Sequence, residues 1–472
     1  MVALGSLVMT RATPPRGQPK GRKSARTLVV GLGATGLSAA RYLAALGDAV
    51  LVVDSRADPP GLAALRASRP DVGVVLASLD PKWLDGIERL VLSPGLGQKL
   101  PLVTEARRRG IEIIGDIELF ARAAAAPVLA VTGSNGKSTV ATLAAEMLRA
   151  AGLRAPAGGN LGPPALELLA GPQADAYVLE ISSFQMETTD TLRPLAAAVL
   201  NVSADHLDRH GGVAEYAALK AKLLRAAEYA VFNADDPLVR EMARACARAV
   251  PFSVRTPLER GYSIVTSGGR RYLARDGQTL LAADALAMRG THNEANALAA
   301  LALTETLTGP SDAALAELAR FAGLPHRCRV VAERAGVLYI DDSKATNVGA
   351  TIAAIEGLAA PAAIEGLAAP LVLIAGGQGK GADFAPLAAA ARGKVEAAVL
   401  IGAAAAELEA VFEGVCPTRR AADMPEAVAA AAALARPGAT VLLSPACASQ
   451  DMFRDYRHRG EVFAAAVEAL PE

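Results

Sequence analysis

Residues 131–139 read VTGSNGKST and follow directly on the apolar run PVLA at residues 127–130. A buried strand that enters a glycine-rich turn and then an apolar helix gathers free backbone N–H groups at the helix N-terminus, where anions are stabilised. The loop has two residues between Gly133 and Gly136, where the common G-x-x-x-x-G-K-[ST] phosphate loop has four. The parts of a triphosphate cradle survive the shortening. Lys137 is placed to reach the outer phosphates, Ser138 to ligate Mg2+, and Ser134, Asn135 and Thr139 to complete an ATP-binding loop.

Upstream, VVGLGATGLS (Val29–Ser38) is a second strand, glycine loop and helix, with G-x-G-x-x-G in Gly31, Gly33 and Gly36 and Asp54 ending the next strand. The glycines allow a tight turn and close backbone approach, and Asp54 is placed to accept a hydrogen bond from a ribose or base edge. An NAD enzyme has no need of a triphosphate loop, and a simple ATPase has none of the first loop. A ligase acting on a nucleotide-carrying substrate uses both.

Outward from these loops, short β-branched runs alternate with apolar helices, which implies parallel sheets with right-handed crossovers. At 472 residues the chain exceeds one ordinary core. The predicted fold class is α/β in three domains. A disordered basic extension (1–25) precedes a Rossmann-like parallel-sheet domain (26–120). A central P-loop ATPase-like α/β domain (121–322) carries a small antiparallel sheet, signalled by Gly268-Gly269 and Asp276-Gly277 between short strands. A Rossmann-like C-terminal domain (323–472) follows.

Forty-eight basic residues balance 48 acidic ones, which argues against general affinity for nucleic acid or acidic membranes. No apolar run approaches the length that spans a bilayer. Cys246, Cys328, Cys416 and Cys447 have no metal-ligand spacing and read as reduced, mostly buried thiols of a cytoplasmic protein. The opening MVALGSLVM is too short and poorly flanked for a secretion signal, and Met9 is an alternative start. AAIEGLAAP occurs twice in tandem, at Ala353–Pro361 and Ala362–Pro370. Pro361 cannot continue a helix interior, so the second copy is expected as a separate turn or loop.

Nine stretches then appear in order: TGSNGKST, GGNLG, LEISSFQ, NVSADHLDRH, GTHNEANALAA, GLPHRC, DDSKATN, AGGQGKGADF and SPACAS. In that order they resemble the Mur ligase family, over nearly the whole chain after the basic extension. The resemblance implies transfer of the ATP γ-phosphate to a substrate carboxylate, attack of an amino group on the acyl phosphate, and an amide, ADP and phosphate as products. It implies two Mg2+ ions, with Mn2+ as a substitute, held by Ser138, Glu180, His206 and Lys220. The family's matching lysine carries a CO2-derived carbamate. That chemistry requires a neutral amine and therefore a lowered lysine pKa. The family's Tyr-x-x-x-Lys spacing, matched from Tyr216, implies Lys220 rather than Lys222.

The same resemblance places Asn293, Asn296, Arg327 and Asp342 around ATP. It places Gly31, Gly33, Thr35, Gly36, Asp54, Ser55, Ser93 and Gly95 at the UDP end of the substrate. Asn160, Ser182, Ser183 and Gln185 fall near the metals and the sugar. Lys344, Thr346, Lys380, Ser449 and Tyr456 match the D-glutamate-adding pattern. The implied catalytic set is Lys137, Glu180, His206, Lys220 and Lys344. Partners would be UDP-N-acetylmuramoyl-L-alanine, D-glutamate and ATP, for a cytoplasmic monomer in peptidoglycan precursor synthesis. After SPACAS the chain reads QDMF where the family pattern reads LDQF, so Gln450 and Met452 alter fine contacts rather than the reaction. The absence of an NPR-type motif argues against diaminopimelate addition. DDSKATN with GLGATGLS argues against alanine addition and folylpolyglutamate synthesis. An NAD(P) oxidoreductase would change nicotinamide absorbance without using ATP, and a nucleotide sensor would bind ATP without releasing phosphate. Substrates held on three domains meet only by closure, with hinges expected near Ala121–Ala126 and Gly323–Arg327.

Overall fold

In the computed structural model the described residues are 25–288, 290–358 and 370–470. The basic extension, the alternative start at Met9 and the second AAIEGLAAP copy up to residue 369 lie outside them. The chain divides into two compact units. Among the described residues, one takes in those up to Pro127 with Pro164–Pro172 and Thr188–Leu192, and the other holds Val128–Pro163, Gln173–Glu187 and those from Arg193 onward.

The first unit is built on a five-stranded sheet of β1 (Arg26–Val30), β2 (Ala49–Val53), β3 (Gly73–Val75), β4 (Arg89–Leu92) and β5 (Glu112–Ile114). Their order is β3-β2-β1-β4-β5 and every pairing is parallel. The helix Ala34–Ala45 follows β1 directly, so the first glycine loop sits at the carboxyl edge of the sheet, where α/β sheets bind ligands. Glu118 ties the distant Thr188–Leu192 segment into this unit. Its Oε2 accepts from Asp190 N at 2.7 Å and Thr191 N at 2.9 Å, and its Oε1 accepts from Thr191 Oγ1 at 2.8 Å.

The second unit holds two sheets. The larger has β6 (Val128–Thr132), β7 (Ala157–Gly159), β8 (Tyr177–Glu180), β9 (Ala196–Val199), β10 (Tyr229–Asn233), β11 (Ala249–Ser253), β12 (Tyr262–Ser267), β13 (Arg270–Arg275) and β14 (Gln278–Ala282). Their order is β14-β13-β12-β11-β10-β9-β6-β8-β7. The antiparallel trio β12–β14 therefore continues the parallel sheet, through a short β11–β12 pairing, instead of standing apart. β6 is buried along its whole length, as expected of a strand covered on both faces. The third sheet comprises β15 (Arg329–Arg334), β16 (Val337–Asp341), β17 (Leu371–Gly376), β18 (Val395–Ile401), β19 (Thr418–Arg420) and β20 (Thr440–Leu443), ordered β15-β16-β20-β17-β18-β19. It is parallel except for β15, an antiparallel edge strand. All four cysteines are free, but only Cys447 is buried and the other three are half-buried.

Candidate active site

The phosphate loop is the hub of the second unit. Asn135 N donates to Asn201 Oδ1 at 2.8 Å and Asn201 Nδ2 returns a bond to Asn135 O at 3.1 Å, fixing the loop to the end of β9. Ser134 Oγ lies 3.2 Å from Tyr216 OH. Gly136 adopts φ +84°, and a Cβ there would meet Asn296 Oδ1 at 2.5 Å, so the close approach of the helix Thr291–Thr308 requires glycine.

Two lysines converge on this loop. Lys137 Nζ donates to Gly133 O at 2.9 Å and Ser134 O at 2.8 Å, and Lys220 Nζ donates to Gly133 O at 3.0 Å. Lys220, on the helix Val213–Ala226, is buried and stands 4.1 Å above the Tyr216 ring. Burial, aided by the neighbouring Lys137 charge, pushes Lys220 well below the ordinary lysine range, and desolvation lowers Lys137 too. Lys222 turns elsewhere, donating to Met186 O at 3.4 Å. Arg327 Nη2 donates to Ser138 Oγ at 2.8 Å, bringing a guanidinium to the loop from the segment just ahead of β15.

Glu180, at the end of β8, is buried. Asn160 Nδ2 donates to its Oε1 at 2.5 Å. Its Oε2 is buried with no hydrogen-bond partner. An orphaned carboxylate oxygen near the phosphate loop is a position that a bound cation or ligand would satisfy. His206 is about half exposed, adopts a left-handed φ of 53°, and packs edge-on to Phe184 with ring centroids 4.8 Å apart. Among the described residues no three His, Cys, Asp or Glu side chains converge as a ready-made metal cage. Ser182 and Gln185 form a reciprocal capping box on the helix Ser183–Met186, with Gln185 N to Ser182 Oγ at 3.2 Å and Ser182 N to Gln185 Oε1 at 3.1 Å. Ser183 Oγ lies 3.0 Å from Nε2 of the buried His210.

Beside the loop opens a cavity of about 710 Å3, lined by Asn135, Thr139, Asn293, Asn296, Arg327, Asp342 and Lys344 among others. Asp342 accepts from Ser444 Oγ at 2.8 Å and Cys328 N at 3.2 Å, and burial raises its carboxyl to about 7. Lys344 Nζ stands 4.0 Å over the Tyr456 ring, and desolvation lowers it to about 8. Thr346 is half-buried, Ser449 is buried, and Lys380 is exposed at a left-handed φ of 52°. Behind this edge, the fully buried Arg459 donates to Ser343 O at 2.8 Å, Ser343 Oγ at 3.0 Å and Cys447 O at 3.1 Å. It thereby joins the turn after β16, the turn after β20 and the helix Tyr456–Glu468.

In the first unit, the close approach of helix to loop is forced at Gly36, where a Cβ would fall 1.8 Å from Gly31 O. Ser93 Oγ donates to Gly31 O at 3.1 Å, so Gly31, Gly36 and Ser93 meet. Gly33 and Thr35 are half-buried at the start of the helix, whereas Ser55 and Gly95 are exposed. Asp54 is not a free acceptor. Leu32 N donates to Oδ2 at 2.6 Å, and Arg56 reaches Oδ1 through Nε at 2.9 Å and Oδ2 through Nη2 at 2.7 Å. The Arg56 guanidinium holds the Asp54 carboxyl down at about 2.

Sequence reasoning passed over Arg56, although an arginine two residues past a strand-end aspartate was a readable signal. It also passed over Asn347, whose Nδ2 lies 3.3 Å from Asn135 Oδ1 and 3.1 Å from Asp205 Oδ2. His326 was missed as well, with Nδ1 2.6 Å from Asp341 Oδ2.

Comparison with known proteins adds a second line. Residues 25–115 match the family description "Mur ligase MurD-like, N-terminal domain", residues 131–304 "Mur ligase middle domain", and residues 326–447 "Mur ligase, glutamate ligase domain". The chain is 47% identical over 447 residues to the UDP-N-acetylmuramoylalanine--D-glutamate ligase of Nitrosococcus oceani, covering 95% of this chain and 97% of that one. With the enzyme of the same name from Pseudomonas aeruginosa it shares 48% over 443 residues, covering 94% and 98%. Among solved structures, the UDP-N-acetylmuramate-alanine ligase MurC of Thermotoga maritima has the same fold at a TM-score of 0.58 and 17% identity, over 94% of this chain and 99% of that one. The Thermotoga maritima MurF ligase in complex with ADP does so at 0.56 and 18%, over 83% and 97%.

Proposed function

The chain belongs to the Mur ligase family, and from that premise we propose that it joins D-glutamate to UDP-N-acetylmuramoyl-L-alanine, cleaving ATP to ADP and phosphate in peptidoglycan precursor synthesis. The observation that carries the ligase reading is the cluster of basic side chains on the phosphate loop. Lys137, Lys220 and Arg327 meet beside a cavity that also holds Asp342 and Lys344. Near-full-length identity to two ligases of that specificity supports the choice of substrates.

In this reading ATP lies in the cavity with its ribose at Asp342, its base near Asn293 and Asn296, and its phosphates on the loop Gly133–Thr139. Lys137 and Arg327 lower the repulsion between phosphate and carboxylate as they approach. The substrate carboxylate oxygen attacks the γ-phosphorus and ADP leaves. The neutral amino group of D-glutamate then attacks the acyl carbon, phosphate leaves, and the nitrogen gives up a proton. Lys344, Thr346, Lys380, Ser449 and Tyr456 would hold the D-glutamate carboxylates. Asn160, Ser182 and Gln185 would orient the muramoyl end, and the Gly31–Gly36 loop with Asp54, Ser55, Ser93 and Gly95 the UDP end.

The unsatisfied Glu180 Oε2 and the buried amine of Lys220 fit a Mg2+ requirement. Ser138, Glu180, His206 and Lys220 would hold two such ions, whose chemistry is to polarise phosphoryl and carboxyl oxygens. For Lys220 this role rests on the neutral amine adding to CO2 with loss of one proton, giving a carbamate with the charge of a carboxylate. A cytoplasmic, monomeric enzyme is part of the same proposal. Among the described residues no helix is long and apolar enough to cross a membrane.

The test is phosphate release with ATP, Mg2+ and UDP-N-acetylmuramoyl-L-alanine while amino acids are supplied one at a time. Release confined to D-glutamate, with a product heavier by one glutamyl residue, is the expected result. Release with a different amino acid would keep the ligase and overturn the specificity.

A further inference from the structure

The helix Val348–Leu358 reads VGATIAAIEGL and carries Gly349, Ala353 and Gly357 at four-residue spacing, hence along one face. That face has almost no room. A Cβ on Gly349 would come within 2.8 Å of Ser203 Oγ, and one on Gly357 within 2.4 Å of His292 Nδ1. Between them the Ala353 backbone takes a hydrogen bond from the His292 ring. The ring's Nδ1 is itself buried without a hydrogen-bond partner. Ahead of the helix, Asn347 Oδ1 caps Ala350 N at 2.9 Å while its Nδ2 reaches Asn135 on the phosphate loop.

His292 thus enters a slot shaped by two glycines, Gly290 and Gly357, each of which would collide with its ring if it carried a Cβ. A buried nitrogen left unpaired is unfavourable and survives only where the surrounding packing over-determines the ring. Burial also lowers the His292 pKa to about 4, so the ring stays neutral.

We propose that His292 is a positioning residue for the nucleotide, a key that seats the helix Val348–Leu358 in register against the helix Thr291–Thr308 and so completes the cavity wall. The inference rests on reading that cavity as the ATP site. Thr291, His292, Asn293 and Asn296 form one wall, and Gly349, Ala353 and Glu356 form part of the other. A ligand touching both walls binds best when the helix is seated, and seating is favoured by the ligand to the same extent.

The test is a double-mutant cycle on the full chain, with KM measured separately for ATP, D-glutamate and the UDP substrate. Gly357→Ala drives a methyl into the ring and should raise the ATP KM about tenfold, leaving the other two within about twofold. His292→Ala should raise the ATP KM as well. The double variant should be no worse than His292→Ala alone, because the methyl then has space. Multiplication of the two effects in the double variant, or an unchanged ATP KM in folded Gly357→Ala, overturns the proposal.

If Gly357→Ala does not fold, His292→Gln and His292→Ala decide. Glutamine keeps a donor for the Ala353 carbonyl and should recover part of the ATP KM, whereas equal loss in both overturns the proposal. Hydrogen exchange gives a readout independent of turnover. A non-hydrolysable ATP analogue should protect the amides of residues 348–358 in the wild type more than in His292→Ala, and equal protection counts against the key. A wild-type chain that turns over no ATP refutes the ligase reading itself, and is recognised before any variant is made.

Discussion

The two glycine loops follow the same plan, a buried strand turning into a helix, yet their charge balance is opposite. In the first unit the acidic partner of the loop is already neutralised. Asp54 is bound by Arg56 and by the loop's own Leu32 N–H, leaving hydrogen-bonding groups and shape. In the second, Lys137 and Lys220 both lean on the single carbonyl of Gly133, with Arg327 at Ser138 and one oxygen of Glu180 unpartnered. A loop whose charges are internally paired suits the weakly charged nucleoside end of a ligand. A loop where Lys137 and Arg327 crowd a desolvated site suits a triphosphate, whose charge relieves them, while the Lys220 amine is kept neutral by burial.

This contrast can be broken at several points. The largest effect should come from Lys220→Ala, with turnover falling about a thousandfold or more and partly rescued by a short carboxylic acid that restores the missing negative charge. Full activity without the amine, measured by phosphate release, would end the claim that this lysine serves the metals. Glu180→Gln should lower kcat by roughly 100-fold while leaving the UDP-substrate KM near its wild-type value. A change confined to that KM would instead assign Glu180 to substrate binding.

A pH profile sharpens the comparison on the cationic side. Desolvation lowers Lys344 to about 8, so the charged form is lost as pH rises through that value. kcat/KM for D-glutamate should therefore fall above about pH 8, and Lys344→Arg should move the fall upward. In the first loop, Arg56→Ala should raise the UDP-substrate KM by about tenfold, the loss of charge-assisted hydrogen bonds, with the ATP KM unchanged. The smallest effect concerns acid stability. The Asp54 carboxyl is held at about 2, below its ordinary 3.8, so its contribution is present above that ordinary value and is lost as pH falls through the folded one. Asp54→Asn should flatten the acid limb of the stability curve between those values, as followed by thermal melting.

The sheets of this molecule were readable where strands are covered on both faces. β6 and β17 are continuous apolar runs buried along their length. β15 escaped notice because RVVAER is a bulged edge strand with charged ends, and β7 because AGG has neither length nor β-branching. The capture of Thr188–Leu192 by Glu118 spans some seventy residues of chain and leaves no local pattern. The site shows the same division. The phosphate loop was legible because strand, turn and helix are local, whereas Lys220 stood out only through the family resemblance, since a lysine on a helix has no local mark of its own. His326 with Asp341, and Asn347 with Asn135, become partners only when distant segments pack.

Arg459 gives the site an order in time. Its guanidinium is sealed in the interior with its hydrogen bonds made to neutral oxygens of Ser343 and Cys447, and every residue proposed for the reaction precedes it in the chain. During synthesis both glycine loops leave the ribosome long before the turns that carry Lys344 and Ser449 receive the arginine that fastens them, and domains fold as they emerge. A nascent chain stalled ahead of Tyr456 should thus retain nucleotide while failing to join an amino acid. Activity would begin only once the helix Tyr456–Glu468 has docked, so a prematurely terminated chain would occupy substrate without consuming it.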